Sequence, residues 1–168
     1  NHWNATDTIH YLKTDFAPVQ RFEADAIENV ALEWGIRDRK WWIDRDWKDD
    51  GEILQPGRRT LREARRCALT PLAGLDDALQ PEGGQPLAAD IFAGALARYL
   101  ESLNAHHVVS EWARQCVDSG DLDAAEAHEQ AWRGIRELIE EIARTLGGEK
   151  LPLQDLADVL DTGLSGLD

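Results

Sequence analysis

Apolar residues recur at helical spacing along most of the chain. The clearest pattern spans Leu122–Leu146, where one stripe has residues alternately three and four positions apart: Ala125, His128, Trp132, Ile135, Ile139, Ile142 and Leu146. That spacing places them on one face of a helix. Asp121 at the start complements the helix dipole, and Gly147 follows the last apolar residue. We therefore predict a long bundle helix over Leu122–Leu146.

Shorter stretches with the same period predict further helices. Their apolar faces are Ile9 and Leu12; Ile27, Val30 and Trp34, before Gly35; Leu61, Ala64, Ala68, Leu72, Leu75 and Leu79; Ile91, Ala95, Tyr99 and Leu103; Val108, Val109, Trp112 and Cys116; and Leu153, Leu156, Leu160 and Leu164. Pro71 lies inside the third face and predicts a kink or two abutting helices, because proline removes a hydrogen bond and clashes with the preceding turn. No segment of four or more residues alternates convincingly as a half-buried strand.

This pattern predicts an all-α fold, a single bundle-like domain of about six to eight helices over residues 1–168. Loops are predicted near residues 44–57 and 80–85, where Asp, Gly and Pro cluster. Neither loop is long enough to link two domains. The chain is 43% hydrophobic, which supplies one core.

Acidic residues outnumber basic ones, with 32 Asp and Glu against 18 Lys and Arg and a formal net charge of −14. Since a net-acidic surface repels phosphate, we expect this chain by itself to bind DNA weakly. The chain contains no Met, which indicates a piece cut from a longer polypeptide.

Cysteine content and hydropathy bear on the compartment. Cys67 and Cys116 are too few for a disulfide framework or a four-cysteine cluster, so reduced, buried thiols and a cytoplasmic setting are expected. No stretch approaches the roughly 20 apolar residues of a membrane span, and no membrane contact is expected.

Motifs for catalysis are not found. The chain has no GxxxxGK[ST], GxGxxG or GxSxG, and no Glu-x-x-His pair of the kind that di-iron bundles use. His107 and Glu111 are four residues apart and could share a metal, although a solvated helical face is the preferred interpretation. His128 lies on the apolar stripe and is interpreted as a half-buried structural histidine. We predict no catalytic residue, no metal site and no cofactor in this chain.

One local feature opposes the global charge, a run of five arginines within nine residues: Arg58, Arg59, Arg62, Arg65 and Arg66. On a helix, positions 58, 62 and 65 or 66 share a face. Such a face could hold phosphates or the acidic surface of a partner. The alternative is an ion-paired face within this acidic protein, for example with residues 118–126.

Three tryptophans, Trp41, Trp42 and Trp47, lie close to a second group of basic residues: Arg37, Arg39 and Lys40. Aromatic rings interleaved with bases can stack on single-stranded nucleic acid. Indoles that anchor a small helical core are the commoner arrangement. Trp41 and Trp42 join the five arginines as the predicted DNA or partner contacts.

Several short sequence segments resemble those of one protein family. They are Leu12-Lys13-Thr14-Asp15-Phe16, Glu28-Asn29 running to Trp34-Gly35-Ile36, Trp41-Trp42, and Glu126-Ala127-His128-Glu129-Gln130-Ala131-Trp132. In order and approximate spacing they resemble AddB, the B subunit of the bacterial AddAB helicase-nuclease. The resemblance covers nearly the whole chain, including residues 151–167.

The resemblance implies a helical subdomain inserted into the second motor-like domain, in the position of the accessory domain of superfamily-one helicases. It implies a parent that resects double-strand DNA breaks for recombinational repair together with an AddA-like helicase-nuclease subunit. ATP with magnesium, a nuclease and an iron-sulfur cluster would belong to the parent outside this segment. The matching residues are mostly apolar or aromatic, so the resemblance implies a structural role for them and no catalytic role.

The sequence therefore predicts a non-catalytic accessory subdomain of an AddB-like subunit, which shapes the DNA path or the contact with the partner subunit. The alternative is a free-standing acidic helical module that binds a basic partner. A third possibility is an enzyme with an unrecognised helical site, which requires a pocket with two or more titratable groups of perturbed pKa.

Overall fold

The computed structural model describes residues 3–47, 51, 58–80 and 85–166, and these residues are mainly helical. They form two compact units, Asn1–Ala73 and Gly74–Asp168. The all-α prediction is confirmed. The prediction that residues 1–168 act as one subdomain stays a prediction.

The first unit contains helices α1 (Ala5–Leu12), α2 (Arg21–Glu33) and most of α3 (Leu61–Leu79), with a π-helical turn at Lys40–Asp44. Their apolar faces meet in one core, in which the most deeply buried large side chains are Trp42, Ile27, Ile36, Leu61 and Leu69. The Tyr11 hydroxyl of α1 donates to the Ala68 carbonyl of α3 at 2.9 Å, which joins the two helices across this core.

Helix α2 ends as its sequence predicts. Gly35 has a φ of +61°, a left-handed conformation that costs glycine nothing. The Gly35 amide donates to the Leu32 carbonyl at 3.3 Å, and the Ile36 amide donates to the Ala31 carbonyl at 2.9 Å. This pair of bonds is a Schellman motif, and it turns the chain so that Ile36 enters the core.

The second unit contains α4 (Ala89–Ser102), α5 (Ala105–Ser119), α6 (Leu122–Leu146) and α7 (Leu153–Leu164). Helix α6 packs against the other three. Two short antiparallel strands, β1 (Leu87–Ala88) and β2 (Lys150–Leu151), pair in the register Leu87 with Leu151 and Ala88 with Lys150. The core of this unit is built from Leu87, Ala89, Phe92, Ala93, Ile139, Ile142 and Leu156.

The predicted helix over Leu122–Leu146 is confirmed at both ends. The Asp121 carboxylate accepts from the Ala124 amide at 3.1 Å and caps the first turn. Gly147, with a φ of +47°, ends the last turn. The predicted final helix after Pro152 is also confirmed, as α7.

Three expectations about side-chain placement were wrong. Ile91 is 50% exposed, because α4 buries Phe92 and Ala93 toward its neighbours instead. Trp34, the C-cap residue of α2, is 38% exposed. Of the two alternatives at Pro71, two abutting helices are excluded because α3 runs through it as one helix, and a kink stays a prediction.

The remaining error concerns a thiol. Cys67 was expected to be buried, but it is exposed on α3, where its thiol donates to the Pro18 carbonyl at 3.4 Å. Both cysteines are free, as expected.

The predicted loops lie mostly outside the described residues, which omit 48–50, 52–57 and 81–84. Within the described ranges, no helix combines the length and the apolarity that a membrane crossing requires.

We expect Gly163→Ala to destabilise the packing of α7 on α6. A β-carbon at position 163 would lie 2.8 Å from Cδ2 of Leu138 and closer still to Cδ1, so Leu138 must move or α7 must shift. Overpacking of this kind costs about 1–3 kcal/mol. Gly74→Ala in α3 is the matched control, since a β-carbon there meets nothing within 4 Å. Urea unfolding should show a loss for Gly163→Ala and no loss for Gly74→Ala; equal stability of both variants would contradict the close approach.

Candidate functional site

The run of arginines from Arg58 to Arg66 straddles the start of α3. Thr60 and Glu63 fix that start: the Thr60 amide donates to Oε2 of Glu63 at 2.8 Å, and the Glu63 amide donates to the Thr60 hydroxyl at 3.2 Å. This reciprocal pair is a capping box. The hydrogen bonds from Thr60, the backbone one first, lower the pKa of Glu63. Arg58 and Arg59 therefore precede the helix, while Arg62, Arg65 and Arg66 lie on it.

Arg59 pairs with a buried carboxylate. Its Nε donates to Oε1 of Glu23 at 3.0 Å and its Nη2 donates to Oε2 at 2.7 Å, while the Glu23 residue is only 2% exposed. Oε2 of Glu23 also accepts from the Gln20 amide at 2.8 Å and so caps α2. Partial burial alone would lower the pKa of Arg59, but the hydrogen bonds and charge of Glu23 help to outweigh it and the pKa is raised. Arg59 thus joins the starts of α2 and α3.

Arg65 is buried, at 2% exposure. Its Nη1 donates to the Trp42 carbonyl at 2.6 Å and its Nη2 donates to the Arg45 carbonyl at 3.1 Å. The guanidinium carbon lies 4.5 Å from the centre of the Trp47 ring, within cation–π range. Arg65 therefore fastens the π-helical turn and the residues after it to α3.

Arg58, Arg62 and Arg66 remain exposed. Arg62 reaches Oδ1 of Asp46 at 3.0 Å, and both side chains are well solvated. Arg58 and Arg66 have no ion-pair partner among the described residues. We call Arg58, Arg62 and Arg66 the exposed arginine set.

The tryptophans form a core cluster. Trp42 and Trp47 are buried with ring centres 5.6 Å apart, and the indole Nε1 of Trp47 donates to the Trp41 carbonyl at 2.8 Å. Trp41 is half-buried, with the guanidinium carbon of Arg45 4.5 Å from its ring centre. The core-anchoring interpretation is confirmed for Trp42 and Trp47.

The residues predicted to contact DNA or a partner therefore fall into two groups, those used inside the fold and those that remain accessible. Arg65 and Trp42 are buried, and the guanidinium of Arg59 is hydrogen-bonded to Glu23. In this conformation these three side chains are poorly available to bind DNA or a partner protein. Arg59 and Arg62 are ion-paired, as the alternative holds, but their partners Glu23 and Asp46 lie outside the range 118–126 that was given as an example. The contact role of the exposed arginine set and of Trp41 stays a prediction. Sequence reasoning missed Glu23, because the capping box it forms with Gln20 has a glutamine where the usual helix-start signal has Ser, Thr, Asp or Asn.

The candidate metal pair is part of a surface ion-pair network. Arg114 donates to both carboxylate oxygens of Glu111, at 2.9 and 2.5 Å, and also reaches Asp118. Hydrogen bonds from Arg114 and then Gln115 lower the pKa of Glu111 to about 2. This arrangement supports the solvated-face interpretation of His107 and Glu111.

The structural interpretation of His128 fits its position. His128 is half-buried on α6, and its ring centre lies 5.7 Å from that of Trp112 on α5.

Charge is distributed unequally between the two units. Residues 1–73 carry 12 Lys and Arg against 13 Asp and Glu, whereas residues 74–168 carry 6 against 19. The net charge of the whole chain therefore resides almost entirely on the second unit. The exposed arginine set lies on the unit that is close to neutral, where repulsion of phosphate is weakest.

The chain is similar along nearly its whole length to B subunits of ATP-dependent helicase/deoxyribonucleases. It is 37% identical over 173 residues to that subunit of Moorella thermoacetica, covering 98% of this chain and 15% of the relative. It is 32% identical over 184 residues to the subunit of Desulforudis audaxviator, covering 99% and 16%. The subunit of Symbiobacterium thermophilum is 30% identical over 177 residues, covering 98% and 15%. No family model matches the chain.

Proposed function

Because the chain belongs to the family of ATP-dependent helicase/deoxyribonuclease B subunits, and spans about 15% of the length of the relatives it matches, we propose that it is a non-catalytic accessory subdomain of such a subunit. In this role it shapes the DNA path or the contact with an AddA-like partner subunit, in the cytoplasm, while double-strand breaks are processed for recombinational repair. Its proposed position is that of the accessory subdomain in the second motor domain of superfamily-one helicases. The similarity along almost the whole chain carries the proposal.

The cofactors that the resemblance implies do not fit the residues of this segment. An iron-sulfur cluster held by cysteine needs four thiolates, and this chain has two cysteines. A phosphate-binding loop needs spaced glycines before a helix, and the sequence has no such loop. We propose that ATP with magnesium and the cluster bind elsewhere in the complete subunit.

The pKa shifts of the described groups have structural causes, although two of these groups, Arg59 and Glu63, line a cleft of about 300 Å³ together with Gln20, Glu23 and Arg58. The described groups with displaced pKa values are Arg59, Glu63, Glu111, Arg114 and Glu141. The shifts of Glu63, Glu111, Arg114 and Glu141 arise from hydrogen bonds to neighbours on the same helix or its cap. Burial lowers the pKa of Arg59, but its interactions with Glu23 and Cys67 outweigh that effect and raise it. Such shifts are typical of structural ion pairs.

A second candidate, a free-standing acidic interaction module, is favoured by the 19 acidic residues of the second unit. Such a surface attracts a basic protein and repels DNA. The gene around this segment separates the two candidates, since motor and nuclease sequences flanking it would support the accessory role.

We expect Arg58→Ala, Arg62→Ala and Arg66→Ala, combined in the complete subunit, to weaken duplex DNA binding by about tenfold or more at low salt. Each lost phosphate contact removes a released counterion, so the slope of log affinity against log salt should flatten by up to about 3. Fluorescence anisotropy across a salt series measures both quantities. Arg133→Ala, at an exposed position of α6, is the control. Unchanged affinity and slope in the triple variant, with normal control behaviour, would reject DNA contact at this surface.

A further inference from the structure

The second unit has a cleft of about 400 Å³ bounded by α4, the start of α5 and α6. Its floor is apolar and includes Leu100, Ala105 and Ile139. A cleft of this volume can accommodate one large side chain of another polypeptide together with parts of the residues next to it. The cleft lies in a different unit from the exposed arginine set, so its use does not depend on the DNA contact proposed there.

Two stacked aromatic rings form one wall of the cleft. The ring of His106, in the first turn of α5, stacks on the half-buried indole of Trp132 on α6, with ring centres 5.6 Å apart and planes inclined by 22°. The short connection before α5 makes this possible, because Asn104 adopts a left-handed φ of +52° that asparagine tolerates better than most residues. The indole is therefore held at the cleft by a neighbour on the facing helix.

The rim of the cleft carries an unbalanced negative charge. Arg136 on α6 is paired with Glu140, one turn along the same helix, at 3.1 Å. Glu101, at the end of α4, lines the cleft and has no ion-pair partner among the described residues. The cleft lining thus contains two carboxylates, Glu101 and Glu140, against the one guanidinium of Arg136, and the unit around it carries 19 Asp and Glu against 6 Lys and Arg.

We propose that this cleft binds an arginine side chain of a partner polypeptide. A guanidinium stacks on aromatic faces and donates to a carboxylate in one plane, while its three methylene groups cover apolar surface. The aromatic wall, Glu101 and the apolar floor match these three properties in turn. A purely apolar side chain would gain no ion pair with Glu101, and nucleic acid would be repelled by the acidic unit.

The test is a titration of the 168-residue chain with an acetylated and amidated Leu-Arg-Leu peptide, followed through the indole Nε1–H signal of Trp132 by NMR. The same peptide with citrulline in place of arginine keeps the shape and removes the charge. We expect saturable shifts at Trp132 and at the amide of His106, and at least about fivefold weaker binding for the citrulline peptide, as expected for the loss of one charge-assisted pair.

Glu101→Gln should weaken binding of the arginine peptide by about fivefold and leave citrulline binding unchanged. Glu137→Gln, at an exposed position of α6 outside the cleft, should change neither. Glu101 is solvent-exposed, so its variant keeps the fold, which the NMR spectrum checks directly.

Several results would overturn the proposal. They are no saturable shift at Trp132, equal affinity for both peptides, and insensitivity to Glu101→Gln. Shifts of the cleft signals on addition of a 12-base oligonucleotide would assign the site to nucleic acid, and concentration-dependent shifts without peptide would assign it to a second copy of the chain.

Discussion

Arg65→Met should lower the free energy of unfolding of the first unit by about 3 kcal/mol, whereas Arg66→Met should change it by less than about 0.5 kcal/mol. Arg65 is buried, and its guanidinium donates to the carbonyls of Trp42 and Arg45. Methionine fills part of the volume but leaves the buried Trp42 carbonyl and the partly buried Arg45 carbonyl without this donor, and it removes the contact with the Trp47 ring. Arg66 is the adjacent residue and is exposed, so its substitution alters surface charge alone.

Urea unfolding followed by tryptophan fluorescence measures this difference, because five of the seven tryptophans lie in residues 1–73. DNA affinity should respond to the two substitutions in the opposite order. In the complete subunit Arg66→Met should reduce DNA affinity, while Arg65→Met should retain it at temperatures where the first unit is folded. Equal destabilisation by both substitutions would show that Arg65 does not fasten the tryptophan segment to α3.

The ion pair between Arg59 and Glu23 should be the second large contribution to stability. We expect Arg59→Met to cost about 2–3 kcal/mol, because it leaves a carboxylate that is almost fully buried without its counterion. This is below the value for a fully buried pair, since the Arg59 side chain is 36% exposed and water screens part of the interaction. Adding Glu23→Gln should recover part of the loss, because a neutral amide needs no counterion.

A double-mutant cycle tests this interaction. The variants are Arg59→Met, Glu23→Gln and their combination, and we expect a coupling energy of about 1–2 kcal/mol between the two positions. Arg21→Met is the control for Arg59→Met, because among the described residues the exposed Arg21 pairs with the half-exposed Asp25, one turn along the same helix, at 3.5 Å. Additive losses from the two substitutions would mean that Glu23 is stabilised by its cap to Gln20 alone.

These two experiments distinguish the structural role of some arginines in the run from the DNA contact proposed for the others. Arg59 and Arg65 hold segments of the first unit together, while Arg58, Arg62 and Arg66 face solvent. A substitution of all five arginines would therefore confuse loss of folding with loss of DNA contact. The functional test is restricted to the exposed arginine set for this reason.

Helix ends were predictable wherever the signal is local. Gly35, Asp121 and Gly147 each act on backbone groups within a few residues, so their effect can be read from neighbouring positions. The buried face of α4 was less predictable. Its sequence is apolar on more than one side, and only packing in the unit selects Phe92 and Ala93 over Ile91. Periodicity identifies a face only when the other side of the helix is polar.

The candidate site was also predictable only in part. Five basic residues in a run, and three tryptophans nearby, are visible in the amino-acid order. Which of them are available to a partner depends on residues distant in the chain. Glu23 is 36 positions from Arg59, and the Trp42 carbonyl is 23 positions from Arg65. No spacing rule relates such pairs.

The order of amino acids alone was enough to establish an all-helical chain, the bounds of its longest helix, its acidic balance and its resemblance to a helicase-nuclease subunit, since each depends on local spacing, composition or short phrases. The tertiary structure decided that the acidity lies almost entirely on one of two units, that Arg65 and Trp42 are interior, and that His106, Trp132 and Glu101 line one cleft. These outcomes depend on which helices pack together, because burial and charge pairing are set by neighbours in space.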